Sequence, residues 1–459
     1  MQPTPPSPGL TSDPITRRRH VLRLFSMRRA PRQLCPRAPL FVLVAVGSFA
    51  TGSASPTDPS PLGFDLEAPA AFESAVGDDT DAVLFPGPQR PQPRPTVLVA
   101  TRVKADVNTV ASVLLNPTSM REALPALVRA DVVATRPGLR ADAWPDRLIA
   151  WEVEIPLFNL TGKGWLQQRP GAVELTLVEG AFAPGHVRFR FARSARGNGG
   201  TSIVTAEIQV DASSSNWIFR RVARHDPWSE TALSAATVWV LARAVALRAE
   251  AVPPQRPARP HDSIQPPLAR ALDGSPLAAP ALAPLRAAGT LALVRRAPGG
   301  RLAWTSVAVP VPGSPAAVAA RLGAPETWRV FPGWKSVTRL LPHAAPLTPT
   351  ASMLIEVDDN VAFVDLDAKW TVTTELPSRA TAVDGDIRGA VFGWDVAPGD
   401  QSGTSLAVLS MHPHLDAAGF IERRLVAAEP LLEHALAVAL AYVDAAATAD
   451  SLVRAATRP

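Results

Sequence analysis

The sequence predicts an α+β fold built twice, as two tandem units that are each a curved antiparallel sheet wrapped around a long C-terminal helix. Three observations predict it. Residues 96–250 and 289–450 repeat each other, with Gly200-Thr201-Ser202 recurring as Gly403-Thr404-Ser405 and Arg220-Arg221 as Arg423-Arg424. Within each copy several segments alternate apolar and polar residues, the period of a strand with one face covered. Each copy then closes on a long run with apolar residues at helical spacing: Leu233, Ala236, Val240, Ala244 and Leu247 in the first, Leu432, Leu436, Ala439, Leu440 and Val443 in the second.

The elements follow in the same order in both copies. Residues 97–105 alternate as a strand. Val107 to Leu115 read as a short helix, and Ser119 to Leu127 as another after Pro117. Strands then succeed one another. The clearest is Val187-Arg188-Phe189-Arg190-Phe191, apolar on one face and basic on the other. Its counterpart carries Ala390, Phe392 and Trp394 on one face. Further pairings include Phe189 with Phe392, Trp165 with Trp370, Val178-Glu179-Gly180 with Val383-Asp384-Gly385, and Pro117 with Pro325. The spacing between partners drifts by a few residues, as loop-length differences produce. This is a two-fold duplication and not a solenoid, since the period far exceeds 50 residues.

Two proline-rich stretches frame the copies. Residues 56–95 hold nine prolines among acidic residues and read as an extended, disordered spacer. Residues 251–288 form a Pro/Ala-rich linker. Residues 1–55 read as an export leader. Arg28, Arg29, Arg32 and Arg37 precede an apolar run from Ala38 to Ala50, and small residues suited to cleavage after Ala54 follow. That run is shorter than the ~20 residues a spanning helix needs. Either Met1 or Met27 suits the start, and Arg18-Arg19 resembles a twin-arginine signal. The expected location is therefore the periplasm or cell envelope, with retention of the leader as an anchor the alternative.

Charge excludes one class of partner. The formal net charge is +5, but eight of the 46 basic residues and one of the 41 acidic ones lie in residues 1–54. The rest carries 38 basic and 40 acidic residues, with no basic footprint for nucleic acid. The single cysteine, Cys35, excludes an internal disulfide framework and a Cys-based zinc cluster.

The chain resembles two tandem domains of the START/SRPBCC helix-grip superfamily, most nearly the coenzyme Q-binding START-type and polyketide cyclase-like branches. Four features carry the resemblance. They are the opening strand running into Val107–Leu115 or Pro315–Leu322, the Val-Glu/Asp-Gly turn, the Gly-Thr-Ser turn, and the Ile-x-Arg-Arg segments Ile218 to Arg221 and Ile421 to Arg424. It implies a cavity between sheet and long helix in which family members hold lipids, quinones, polyketides or other hydrophobic molecules. Some members are enzymes and many are carriers.

The candidate ligand-binding residues are Phe189 and Phe191 opposite Val240 in the first copy, and Phe392 and Trp394 opposite Val443 in the second, with Tyr442 as a polar contact. A filled core of the same residues is the alternative. His412 and His414 sit at strand spacing and could share a metal with Asp416, but a strand-end turn with solvated histidines reads more simply. Asp358, Asp359 and Asn360 read as a turn, with Asp365 and Asp367 beyond it. The Arg220-Arg221 and Arg423-Arg424 pairs could make transient contact with lipid headgroups, or lie solvated on a short helix. No phosphate loop, nucleophile elbow, HExxH or dinucleotide fingerprint is present. No catalytic residue, metal or cofactor is therefore assigned. The expected function is to bind or carry a hydrophobic small molecule. A cyclase/dehydratase-type enzyme and a structural envelope protein without ligand are the alternatives.

Overall fold

In the computed structural model the residues described are 68–86, 96–138, 144–155, 158–196, 200–211, 215, 219–221, 224, 228–252, 276–298, 300–328, 334–339, 353–361, 364–373, 376–414, 429 and 431–457. The leader, Ile218, Asp416 and residues 421–424 lie outside them, as do the side chains of Asp358, Asp359, Asn360 and Asp365.

The first half contains strands β1 (Thr80–Pro86) and β2 (Val97–Val103), and helices α1 (Val107–Leu115) and α2 (Pro117–Ala123). Six strands follow, β3 (Leu127–Arg136), β4 (Asp146–Ile155), β5 (Phe158–Arg169), β6 (Ala172–Gly180), β7 (Gly185–Arg193) and β8 (Ser202–Gln209), and then helix α3 (Ser229–Ala249). The second half repeats this order. After a short helix α4 (Ala283–Ala288) come β9 (Gly289–Arg296), β10 (Leu302–Pro312), α5 (Pro315–Leu322) and α6 (Pro325–Trp328). Strands β11 (Trp334–Arg339), β12 (Met353–Val361), β13 (Val364–Thr373), β14 (Ser378–Gly385), β15 (Val391–Pro398) and β16 (Thr404–His412) lead to α7 (Leu431–Thr457).

Local chemistry explains the boundaries. Asp106 accepts from the backbone N–H groups of Asn108 (2.9 Å) and Thr109 (3.1 Å), capping α1. Ser314 caps α5 in the same place, with Pro315 at the first turn. Helix α2 ends at Ala123, short of the predicted Leu127, because Pro125 forces Leu124 into an extended conformation (φ −122°, ψ 96°). Gly180 and Gly385 have φ of 89° and 93°. A Cβ at either would collide with the carbonyl of Thr161 or Asp367 across the sheet, so the Val-Glu/Asp-Gly turn demands glycine.

The sheet is one. Its sixteen antiparallel strands run β11-β12-β13-β14-β15-β16-β10-β9-β1-β2-β8-β7-β6-β5-β4-β3. Strand β1 lies within the stretch expected to be a disordered spacer, yet it pairs with both β2 and β9, Ala82 facing Ala100 on one side and Leu293 on the other. The two halves thus share their sheet through β1 and β9 and are not beads on a tether. Residues expected to be linker also fold at Pro69–Phe72 and Pro276–Ala288. They cover one side of the central strands, burying Phe72, Leu277, Leu282 and Leu285 on Leu84, Leu98, Leu291 and Leu293. Glu73 fastens the first cover, accepting from Ser194 Oγ (2.6 Å) and Arg102 Nη2 (3.2 Å). Arg286 fastens the second, on Asp400 and on the carbonyl of Ala279 (2.9 Å).

The long helices occupy the other side. Helix α3 lies on β2 and β8, α7 lies on β10 and β16, and the two helices pack on each other. Their deeply buried faces are not the predicted leucine stripes. They are Ala235, Val238, Trp239, Ala242 and Val245 in α3, and Ala435, Val438, Ala441, Tyr442 and Ala445 in α7. Small residues allow the close approach of two helices and a sheet. The larger Leu233, Leu247, Leu432 and Leu436 are left half-buried.

Candidate functional site

Each half presents one wall of its sheet to its long helix. Strand alternation and register decide which residues make it. In the first half Phe189 faces Ala206 and Val173, and Val187 faces Ile208 and Leu175. Across β5 and β4 the same side carries Gly164, Gly162, Ile149 and Trp151. The Trp151 ring lies over Gly162, where a Cβ would come within 2.5 Å of it, and Leu175 lies over Gly164. In the second half Trp394 faces Leu409 and Ser378, Phe392 faces Met411 and Ala380, and Trp370 faces Ile355 and Ala382. Trp328 of α6 reaches this wall with its ring 6.4 Å from that of Trp394, its own N–H donating to the Leu322 carbonyl (2.7 Å).

Register corrects two of the predicted pairings. Arg193 faces Ser202 and Pro398 faces Ser405, so Phe189 corresponds to Trp394 and Val187 to Phe392. Trp165 and Trp370 point to opposite sides of the sheet. Trp370 faces the helix, whereas Trp165 lies under the Arg136 guanidinium, 4.1 Å from the ring centre, on the far side. The position matching Trp370 is Gly164.

The candidate residues fall into two groups. Phe189 and Trp394 are buried in the walls, and Phe191 and Phe392 pack on the same core while half-buried, as do Val240 and Val443 of the helices. Tyr442 is elsewhere. Its ring stacks on Phe85 of β1, 3.8 Å between centroids, in the joint between the halves and not against the second wall. It leaves the wall because α7 turns its Ala/Tyr face to β1 and α3.

Polar atoms on the walls are few. Trp151 and Trp394 are the notable ones, since each holds an indole N–H that is buried without a hydrogen-bond partner. A buried donor left unmet is costly, so an acceptor in reach of it is favoured. Glu429, beside the start of α7, is also buried; burial pushes its carboxyl up, against the backbone N–H groups of Leu431 and Ala126. The wall tryptophans Trp151 and Trp370 are absent from the sequence candidates; Trp151 is followed by Glu152 and Glu154 and so reads as the start of a polar strand.

The opposite side of the first half is a charged lattice. Arg188 Nε binds Glu174 (2.5 Å) and its Nη1 lies 3.6 Å from Glu207, which His186 Nε2 approaches at 3.2 Å. Burial alone would raise Glu207, but His186 and the arginines outweigh it and hold its carboxyl low. A groove of about 330 Å³ between β6, β7 and the Pro184 turn is lined by these polar groups. His412 is buried and His414 Nδ1 meets the Arg388 carbonyl at 3.2 Å. Among the described residues no three metal-ligating side chains converge. Arg220 and Arg221 are exposed.

No family model matches the sequence, and no curated protein does. Among solved structures the chain is similar to a START superfamily protein from Mycobacterium smegmatis, 17% identical over 34% of this chain and 98% of that one, with a TM-score of 0.28. It is also similar to the di-domain ARO/CYC StfQ of the steffimycin biosynthetic pathway, 12% identical over 76% of this chain and 98% of that one, TM-score 0.25. A third is the lipid transfer domain of human StarD13, 13% identical over 39% of this chain and 85% of that one, TM-score 0.27.

Proposed function

We propose that the protein binds and carries a hydrophobic small molecule against the helix-facing wall of each half, the halves being two grips of helix-grip type. One observation carries the reading. Each wall is largely apolar and yet contains one buried indole N–H, Trp151 or Trp394, with no partner. A ligand that satisfies such a wall is mostly hydrocarbon and carries a carbonyl or ether oxygen, as quinones, polyketide-like compounds and acyl lipids do. Half-buried Phe191, Val240, Phe392 and Val443 offer apolar surface that a ligand would cover. Export and transient contact with a membrane surface belong to the same proposal and are supported by the leader and the arginine pairs alone.

The test is native mass spectrometry of the protein from an exporting host, with solvent extraction of bound molecules. A co-purified hydrophobic compound, lost on Phe189→Asp or Trp394→Asp in variants that keep native circular dichroism, supports the reading. A clean apo mass with no uptake of fluorescent fatty acids or quinones overturns it.

A further inference from the structure

The joint between the halves holds polar groups that neither wall uses. Asp81 of β1, Thr101 of β2 and Arg296 of β9 face the long helices and are almost fully buried. Thr101 Oγ1 donates to Asp81 Oδ1 (2.7 Å), the Arg296 guanidinium binds the other oxygen, and Arg296 Nη2 donates to the Asp78 carbonyl (2.7 Å). Burial would raise Asp81, but Arg296 and Arg243 outweigh it and hold the carboxylate charged. Each of its two oxygens thus carries one hydrogen bond.

Over this floor lie donors without acceptors. Arg243 of α3 is 8% exposed, and its Nη1 has no partner. Its Nη2 lies 3.9 Å from Glu250, whose other oxygen already accepts from the Lys104 backbone (2.9 Å). Trp239, one turn earlier on the same face, is fully buried with its indole N–H unpartnered. His434 of α7 lies parallel to the Trp239 ring, 5.0 Å between centroids and 10° between planes. It is 2% exposed, and neither ring nitrogen makes a hydrogen bond, the Arg301 backbone facing it without ordinary geometry. Burial, then Arg296 and Arg243, push the imidazole down to about 3, so it is neutral and offers one further N–H. Two buried donors, Arg243 Nη1 and Trp239 Nε1, are thus left without an acceptor, and one of them belongs to a cation. The matching positions in the second copy of the helix are Tyr442 and Ala446, so α7 does not repeat the cluster.

We propose that this joint is a binding site for one small anionic group, a halide or a carboxylate, held by Arg243, Trp239 and His434. The group comes either from a free inorganic ion or from the acidic head of a hydrophobic ligand.

The test uses the full chain with sodium bromide and sodium decanoate as probes, read as the shift in melting temperature at constant ionic strength. General salt effects on the surface are common to wild type and Arg243→Met and cancel in their difference. The expected result is stabilisation by bromide or decanoate in the wild type that disappears in Arg243→Met, with one anomalous bromine peak per chain beside Arg243 Nη1 in bromide-soaked crystals. Trp239→Phe retains the stack on His434 and is expected to weaken bromide roughly tenfold, the loss of one hydrogen bond to a charged partner. Protection by decanoate alone assigns the site to a ligand head, and protection by bromide as well assigns it to a free ion; either supports the proposal. Equal shifts in wild type and Arg243→Met, or a crystal showing water only between the three side chains, overturn it.

Discussion

The two helix-facing walls share one strand order and differ in where their bulk lies. Gly164 in the first stands where Trp370 stands in the second, Val187 where Phe392 stands, and Phe189 where Trp394 stands. The exchange runs the other way at Leu175 and Leu177, which match Ala380 and Ala382, and at Trp151, which matches Val357. By contrast the framework positions are kept. Gly180 and Gly385 adopt the same left-handed turn, Asp106 and Ser314 cap the same helix, and Ser202 and Ser405 bind the carbonyls of Ala105 and Gly313, both at 2.7 Å. The difference teaches that backbone chemistry was held while wall shape was exchanged side chain by side chain. Under the proposed function, two walls of different relief would fit two molecules of different outline.

Substitutions that erase the difference test it. The largest effect is expected from Trp394→Ala. Trp394 is among the largest fully buried side chains, and its loss should cost about 3–5 kcal/mol in urea unfolding. Phe191→Ala, at a half-buried position, should cost about half as much. Equal losses would mean that the first wall is sealed like the second. Next is Gly164→Ala, whose Cβ would come within 2.8 Å of Leu175 and 3.0 Å of the Thr176 carbonyl. Overpacking should cost about 1–3 kcal/mol, whereas Ala380→Gly in the second wall should cost about 1 kcal/mol.

The joint differs from both walls in its response to acid. His434 has a folded-state value of about 3 against 6.5 when unfolded. The unfolded chain therefore binds the extra proton, and stability is lost as pH falls through that window, by about 1.4 kcal/mol per pH unit. Urea titrations between pH 6.5 and 4.5 should show this slope in wild type and its loss in His434→Phe, which preserves the ring stack. Asp81 and Glu73, both held low, titrate below this window, and Glu429, which burial pushes up, contributes equally to wild type and variant. Smallest are the caps: Asp106→Ala and Ser314→Ala should each cost about 1 kcal/mol, equally in the two halves, by thermal unfolding.

The element order of each half is legible in the sequence because its signals are local. The helix breaks at Pro117 and Pro325, alternation in Val187–Phe191 and the turns at Gly180 and Gly385 each act over a few residues. The joining of the sheets is not legible. Strand β1 is a seven-residue segment inside a proline- and acid-rich stretch, and its partners on β9 lie more than 200 positions away, as Val83 and Ala292 do. Asp81 reads as a spacer acid because Arg296, which neutralises it, is equally remote. The buried faces of α3 and α7 are disguised for a different reason. Alanine scores weakly in an apolar pattern, yet it is what lets two helices and a sheet meet closely. Of the candidate site, Phe189 and Trp394 are legible from strand alternation, whereas Gly164 and Trp151 acquire meaning only from the register of β4, β5 and β6.

The most direct measurement is the stoichiometry and identity of bound molecules by native mass spectrometry on wild type, Gly164→Trp and Trp394→Asp. Two differently shaped walls predict two bound masses in wild type, one removed by Gly164→Trp and the other by Trp394→Asp, with the remaining ligand untouched in each folded variant. A wild-type protein that carries and takes up nothing, or two variants that lose the same single ligand together, would contradict the account.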